Sequence, residues 1–486
     1  MSSRERPNVI VIVSDTYRPD HIAANGHPDV VTPELDDWLG RSVTFEQATV
    51  SSFPTIPMRT DWFTGRFGHP RHGWRNLDPM AVTLPEVLGA NGYRTQLIAD
   101  TTHLMNSHFF HRFDRHHFNR GHEGDGKFLR LNEPIEHVVE DPRKTRVEFG
   151  NHSYTPVLPD IHAHTNYWRR YEDQSQPMRM ADDVCRFLED CYASPQPFML
   201  WVDCFDVHEP WFPPRYLLDL YDPTYDGQPI AQPNYREASV YTPAELGNMQ
   251  ARYKAMCTLL SKAVGRMLRT VEDAGLLENS IVVFMSDHGM YLGERGRTGK
   301  SGIQADARSV FPFHCEINRI CWSMHVPASL NRATVAPGSR LAGLVQAPDL
   351  APTVLELCDI SVPDDVDLEG SSLVPLLEGA SDGPRALAIT ATTTDIGGGW
   401  VHTRAPAVTD GEWKLLVDEG DGDGGPELYR IADDPGESVN LIDSARDEAQ
   451  RIHAEMLAWL AAHDATPGTL ERLSAARIGL DHSRVN

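Results

Sequence analysis

Basic residues are scarce in this chain. Its 486 residues hold 44 Lys and Arg against 69 Asp and Glu, a formal net charge of −25. Nucleic acid and anionic membrane surfaces both ask for a basic face, so neither is an expected partner. The same charge repels a highly anionic substrate unless Arg and Lys are focused in one pocket. Long apolar runs are missing as well: the first, VIVIV at Val9 to Val13, ends in Ser14 and Asp15 and is too short for a signal-peptide core or a membrane span. Cysteine is sparse, with seven residues at positions 185, 191, 204, 257, 315, 321 and 358, an odd number without CxxC spacing. These read as buried thiols in a reducing compartment, and a cytoplasmic, disulfide-free protein is expected.

What is present is length enough to bury a large core, so one big domain with a smaller one appended is expected. Val9 to Val13, the run GYRTQLIAD that ends at Asp100, PFMLWVDC at Pro197 to Cys204, and SIVVFMS before Asp287 and His288 all read as strands buried on both faces of a parallel sheet. Helices are expected from Thr32 (TPELDDWL), from Thr83 (TLPEVLGA), over Met178 to Tyr192, and over Thr242 to Gly275, where Thr242 is the N-cap and Pro243 the first helical residue. Between His103 and Lys127 lie His103, His108, His111, His116, His117 and His122 without helical spacing, which reads as a long loop. Glu133 to Trp168 is likewise irregular and polar, placed to cover a pocket mouth. Asp421 to Gly425, DGDGG, reads as a turn between strands. Around residue 385 the character of the chain changes.

Two stretches carry chemistry. Asp15 lies just past a strand end, where ligands gather in open α/β sheets, so its carboxylate is placed to hold a metal; a turn or N-cap Asp reads it equally. In SSFPTIPMRTDWFTGR, Ser51 to Arg66, Pro54 and Pro57 restrict the backbone around Thr55 and set that hydroxyl at a helix entrance. Free N–H groups there, with the donor fork of Arg59, fit a tetrahedral oxyanion. Taken alone, the stretch is an ordinary Pro-rich N-cap with Arg59 in solvent, and the rest of the chain shifts the reading.

The frame Thr55, Ile56, Pro57, Met58, Arg59, followed by TGR at Thr64 to Arg66, resembles the signature of the sulfatase family within the alkaline phosphatase superfamily. NVIVIVSDTYRPDH resembles the opening of sulfatases and phosphonate monoester hydrolases, and SDHGMYLGERGRTGK the family's Asp-His-Gly stretch with a following Lys. The resemblance implies Asp15, Asp287 and His288 as metal ligands with the Thr55 oxygen, and Lys300 as an oxyanion contact beside Arg59. It also implies His103 as a substrate contact and His208, in FDVHEPWFPP, as the group facing the leaving oxygen, which an imidazole there would protonate. The fold implied is α/β, an alkaline phosphatase-like core with a large mostly parallel sheet between helices over 1–385. A small C-terminal α+β subdomain follows over 386–486, with an antiparallel sheet, a helix over Ala445 to His463 and a tail. Thr55 departs from the family, whose Cys or Ser is converted to formylglycine. Thr16 stands where many sulfatases have a second ligand Asp, and a Lys is missing near His103.

Together these residues imply one divalent ion, with Mn or Ca foremost and Mg, Zn or Fe permitted by the oxygen and imidazole ligands. The expected function is hydrolysis of phosphate diesters or phosphonate esters, with Thr55 as direct nucleophile and Arg59, Lys300 and His208 stabilising charge. Rival readings are a sulfuric ester hydrolase without formylglycine, a phosphotransferase, and an inactive binding scaffold. The partner is a small-molecule ester, and a homo-oligomer is left open.

Overall fold

The structure, a computed structural model, describes residues 6–123, 125, 141–145, 158–303, 308–363, 366–395, 401–417, 425–476 and 478. The strands used below are β1 (Asn8–Ser14), β2 (Val43–Thr49), β3 (Ser52–Phe53), β4 (Arg94–Ala99), β5 (Arg115–Phe118), β6 (Phe198–Cys204), β7 (Ser280–Ser286), β8 (Trp322–His325), β9 (Arg340–Gln346), β10 (Ala388–Asp395), β11 (Val401–Thr409), β12 (Lys414–Leu416) and β13 (Glu427–Tyr429). The helices are α1 (Pro33–Arg41), α2 (Thr55–Thr64), α3 (Leu84–Ala90), α4 (Gln176–Cys191), α5 (Pro243–Asp273) and α6 (Arg446–Ala462).

Continuous apolar runs form the middle of an eight-stranded sheet of order β9-β2-β8-β7-β1-β6-β4-β5. The pairs of β1 with β6 and β7, of β4 with β5 and β6, and of β2 with β9 are parallel, and β8 alone runs against its neighbours β2 and β7. Both faces of β1 are buried, as its VIVIV pattern requires. Val9, Val11 and Val13 pack with Ile56, Met58 and Trp62 of α2. Ile10 and Ile12 pack against Val184 and Leu188 of α4 and Ala263 and Met267 of α5. A capping box starts α5: the Thr242 hydroxyl accepts the Glu245 N–H at 3.3 Å, and the Glu245 carboxylate accepts the Thr242 N–H at 2.8 Å, an arrangement worth about 1 kcal/mol. At α1, by contrast, the expected cap makes no cap bond; the Thr32 hydroxyl accepts from Ala23 N at 2.9 Å and donates to Asp36 at 3.2 Å.

The C-terminal sheet has the order β13-β12-β11-β10-β3, so its last strand comes from residues 52–53, just before Thr55. Ala391 pairs with Ser52 and Thr392 with Phe53, in parallel. On its other face α6 supplies Ile452, Met456 and Leu460 to a core with Ile389, Val408, Leu415 and Leu428. The region beyond 386 is therefore stitched to the strand that leads into α2. Gly73 shows how closely: a Cβ there would stand 1.9 Å from the Thr393 carbonyl oxygen.

The histidine-dense stretch is not one loop. Residues Thr102–Asn106 form a helix, and His116 and His117 lie on β5, the edge strand beside β4. Because β5 is short and largely exposed, its sequence carries no alternation of apolar residues, and only pairing with β4 makes it a strand. Lys127, most of Glu133 to Trp168, and DGDGG apart from Gly425 lie outside the described residues; within the second of these, Leu158–Thr165 is helical.

All seven cysteines are free, and only Cys315 is not fully buried. Thiol titration of unreduced, denatured protein should therefore give seven per chain, and fewer would mean a native bridge. Gly73→Ala should destabilise by roughly 1–3 kcal/mol through overpacking against β10, read as a lower urea midpoint; an unchanged midpoint would mean that this contact is loose.

Candidate metal centre and active site

Four neighbouring strands end together. In the order β7, β1, β6, β4 their carboxyl ends carry Asp287 and His288, Asp15, Asp203, and Asp100, so strictly parallel pairing gathers acids scattered over the sequence into one row. Asp15, Asp287 and His288 are fully buried, and one ligand atom of each lies within 4.8 Å of the others. His288 Nδ1 donates to the Gly289 carbonyl at 3.1 Å, and Nε2 lies 3.7 Å from Asp287 Oδ2 and 4.0 Å from Asp15 Oδ1 without a hydrogen bond. Gly289 is required by close approach, since a Cβ would meet the Glu316 carbonyl oxygen at 2.2 Å.

Burial and the neighbouring Asp287 push the Asp15 carboxyl well above its ordinary range, while Lys300 and Arg59 oppose them. Asp287 goes the other way: against burial, the positive charge of Arg59 holds it below the usual carboxylate range. Burial pushes His288 down to about 3, so its imidazole is neutral. A neutral imidazole with an unpartnered nitrogen, beside Asp15 Oδ2 that accepts no hydrogen bond, is a donor set that fits a divalent cation.

Arg59 differs from the sequence expectation. It is fully buried and faces the carboxylates, not an open pocket: Nε and Nη2 donate to Asp203 at 3.0 and 2.8 Å, and Nη1 donates to Asp287 at 2.6 Å and to the Thr55 carbonyl at 3.0 Å. Asp15 Oδ2 lies 3.2 Å from Nη2. The reason is electrostatic, because three buried carboxylates without a counter-charge would be prohibitively costly. Asp203, which also accepts from Thr101 at 2.7 Å and from the Trp201 indole at 3.2 Å, is thus the anchor for Arg59. Its position inside β6, facing the first turn of α2, left no local sign in the sequence.

Thr16, the other departure, holds the centre together. In left-handed backbone (φ 62°), it donates its N–H to Asp287 at 2.9 Å and its hydroxyl to Asp15 at 2.7 Å, and it accepts from Lys300 Nζ at 3.1 Å. Lys300 itself stands 3.8 Å from Asp15. Thr55 is buried at the first residue of α2, with Pro54 preceding it. Asp61, one face of the helix further on, clamps the approach by accepting from the Ser51 hydroxyl, Ser52 N at 3.1 Å and Gly68 N at 2.9 Å.

The two expected histidines flank one ring. His208 stacks on Phe205 at 4.1 Å, and its Nδ1 donates to the Glu209 carbonyl at 2.7 Å. His103 meets Phe205 at 5.7 Å and Trp74 at 5.1 Å, and its Nε2 lies 3.1 Å from Glu123. Glu123 is a partner that the sequence reading did not identify. No helix among the described residues is long and apolar enough to cross a membrane.

Known proteins share the sequence pattern and the fold. Residues 7–360 match the sulfatase family model, and residues 319–465 match the C-terminal model of N-sulphoglucosamine sulphohydrolase. An arylsulfatase of Clostridium perfringens is 27% identical over 77% of this chain and 79% of its own length. An ulvan-active sulfatase of Formosa agariphila is 24% identical over 77% of this chain, which spans 65% of that relative. Among solved structures, the phosphonate monoester hydrolase of Agrobacterium radiobacter superposes with a TM-score of 0.68 at 20% identity, over 94% of this chain and 96% of that one. With the expected α/β fold in place and most of its length matched, the chain belongs to the sulfatase family.

Proposed function

We propose that the chain hydrolyses sulfuric esters of small molecules without formylglycine, with the Thr55 hydroxyl as nucleophile. The observation that carries the reading is the buried Asp15, Asp287, His288 centre under the first turn of α2, in a chain whose family match spans residues 7–360. A divalent ion held by those three residues supplies positive charge that lowers the pKa of a neighbouring hydroxyl. The chain's own groups do the rest. Arg59 fixes the Thr55 carbonyl, and with it the first turn, against Asp287. Lys300 offers charge to the equatorial oxygens of the ester. Thr55 Oγ1 loses its proton to water and bonds to sulfur as the bond to the leaving oxygen breaks, and that oxygen takes up a proton through the His208 ring; a water oxygen then attacks the sulfur of the Thr55 sulfate ester, sulfate leaves, and Oγ1 regains a proton. Localisation in a reducing compartment belongs to the same proposal, supported by seven free thiols.

A second reading, hydrolysis of phosphate diesters or phosphonate esters by the same Thr55, is favoured by one observation. The residue at the nucleophile position is a threonine, whose oxidation would give a ketone and not an aldehyde, and a phosphonate monoester hydrolase shares the fold.

Metal-loaded protein assayed on 4-nitrophenyl sulfate, bis-4-nitrophenyl phosphate and a phenylphosphonate monoester separates the two, since the preferred ester should show the higher kcat/KM. Thr55→Ser should keep measurable activity on it, and Thr55→Ala should lose about three orders of magnitude or more. If Thr55→Ala matches wild type, the nucleophile is not Thr55. Asp287→Ala should lose both bound metal, by elemental analysis, and turnover; a metal-free variant with full activity would refute the centre. Lys300→Met should lower kcat about a hundredfold with a smaller change in KM.

A further inference from the structure

One buried acid near the Thr55 turn belongs to neither the carboxylate row nor the metal ligands. Asp61 stands in the second turn of α2 and is fully buried. Its carboxylate reaches back to the strand that enters the helix: Oδ2 accepts from the Ser51 hydroxyl and from Ser52 N at 3.1 Å. Oδ1 accepts from Gly68 N at 2.9 Å, beyond the other end of the helix. One side chain thus ties the segment just before Thr55 to the segment after α2. The fit is close at Gly68, where a Cβ would stand 3.0 Å from Asp61 Oδ1 and 2.7 Å from the His72 ring.

Three neutral donors answer this carboxylate and, among the described residues, no cation does. The charged groups on the elements around it are paired elsewhere. Arg59, in the same helix, faces Asp203 and Asp287; Arg71 pairs with Glu369 at 2.5 Å, and Arg385 with Asp349. Burial pushes His69 down to about 3 and His72, across Gly68, down to about 4, so both rings are neutral at neutral pH. Burial likewise pushes the Asp61 carboxyl up to about 7, against the pull of its Ser51, Ser52 and Gly68 donors.

The hydrogen bonds decide where a proton can enter. On Oδ1 it would face the Gly68 N–H, which can only donate. On Oδ2 it can go to Ser51 Oγ, provided the Ser51 hydroxyl turns to Met58 Sδ, 3.5 Å away. Ser52 N–H then meets a hydroxyl oxygen in place of a charged carboxylate, and a hydrogen bond to an ionised acceptor is about twice as strong as one between neutral groups. Protonation therefore weakens the grip on the strand that leads into Thr55.

We propose that Asp61 is a positioning residue for the hydrolysis proposed above, and the inference rests on that reading: ionised, it holds Ser52 and Gly68 so that the Thr55 hydroxyl is aligned, and protonated, it lets that turn drift. Metal-loaded wild type, assayed on its preferred ester from about pH 5 to about pH 9, should lose kcat as pH falls through about 7, with KM and bound metal unchanged. Asp61→Asn, which cannot ionise, should lower kcat about tenfold at the alkaline end and lose this acid limb. The same limb in the variant overturns the proposal. Ser51→Ala keeps the acid and removes one donor to its charged form, so the limb should move up by about one pH unit. An unmoved limb there overturns the proposal as well, and this variant carries the test should Asp61→Asn fail to fold by far-UV circular dichroism. If no ester is turned over, the reading of the reaction has failed, and hydrogen exchange decides this one separately. Corrected for intrinsic rates, the Ser51 to Thr55 backbone of wild type should lose protection below about pH 7, and in Ser51→Ala the loss should begin at higher pH. Protection that does not change over that range overturns the proposal.

Discussion

Arg59 is the group on which the centre depends. Three carboxylates at the ends of β1, β6 and β7 converge in the interior, and one guanidinium meets all of them. Removing one partner of such a buried set typically costs about 3–5 kcal/mol, because the remaining charges lie uncompensated. Burial lowers the Arg59 pKa, but the carboxylates more than reverse it and keep it charged. The same guanidinium grips the Thr55 carbonyl. Position of the Thr55 turn and neutralisation of the acids are therefore one interaction, and neither can change without the other.

A second constraint comes from the far end of the chain. The strand at 52–53 belongs to the C-terminal sheet, so the entrance to α2 is held on one side by Asp61 and on the other by β10. Thr392 Oγ1 donates to the Phe53 carbonyl at 3.2 Å, and the Gln346 amide spans the Val50 and Ile389 carbonyls at 2.9 Å each. Backbone groups here leave one sheet before joining a helix, and these side chains satisfy them. The C-terminal region thus braces the turn that carries Thr55 as much as it forms a sheet of its own.

Much of this was legible in the sequence where the signal is local. Buried strands announce themselves by unbroken apolar runs, helix starts by Thr-Pro pairs, and the strand-end positions of Asp15, Asp287 and His288 by where those runs stop. What was not legible depends on tertiary pairing. Asp203 looks like any acid in an apolar run until β6 is set beside β1 and α2 is laid across them. Thr16 looks like a lost ligand, although it bonds to both Asp15 and Asp287. β5 has no periodic pattern because edge pairing, not burial, makes it a strand. The contacts of Arg59 were hidden for the related reason that a lone arginine near a helix start cannot reveal three carboxylates from distant strands.

Charge at the centre is balanced locally, apart from the acidity of the chain as a whole. Counted formally, the three carboxylates Asp15, Asp203 and Asp287 against Arg59 and Lys300 give the centre one negative charge in excess. Such a centre holds Asp15 back from ionising, which is the direction its pKa takes. A divalent cation held there would turn the balance to one positive charge, a field that favours an anionic group. Every group in this count is buried, so the field at the centre is set by these neighbours and not by the net charge of −25 spread over the whole chain.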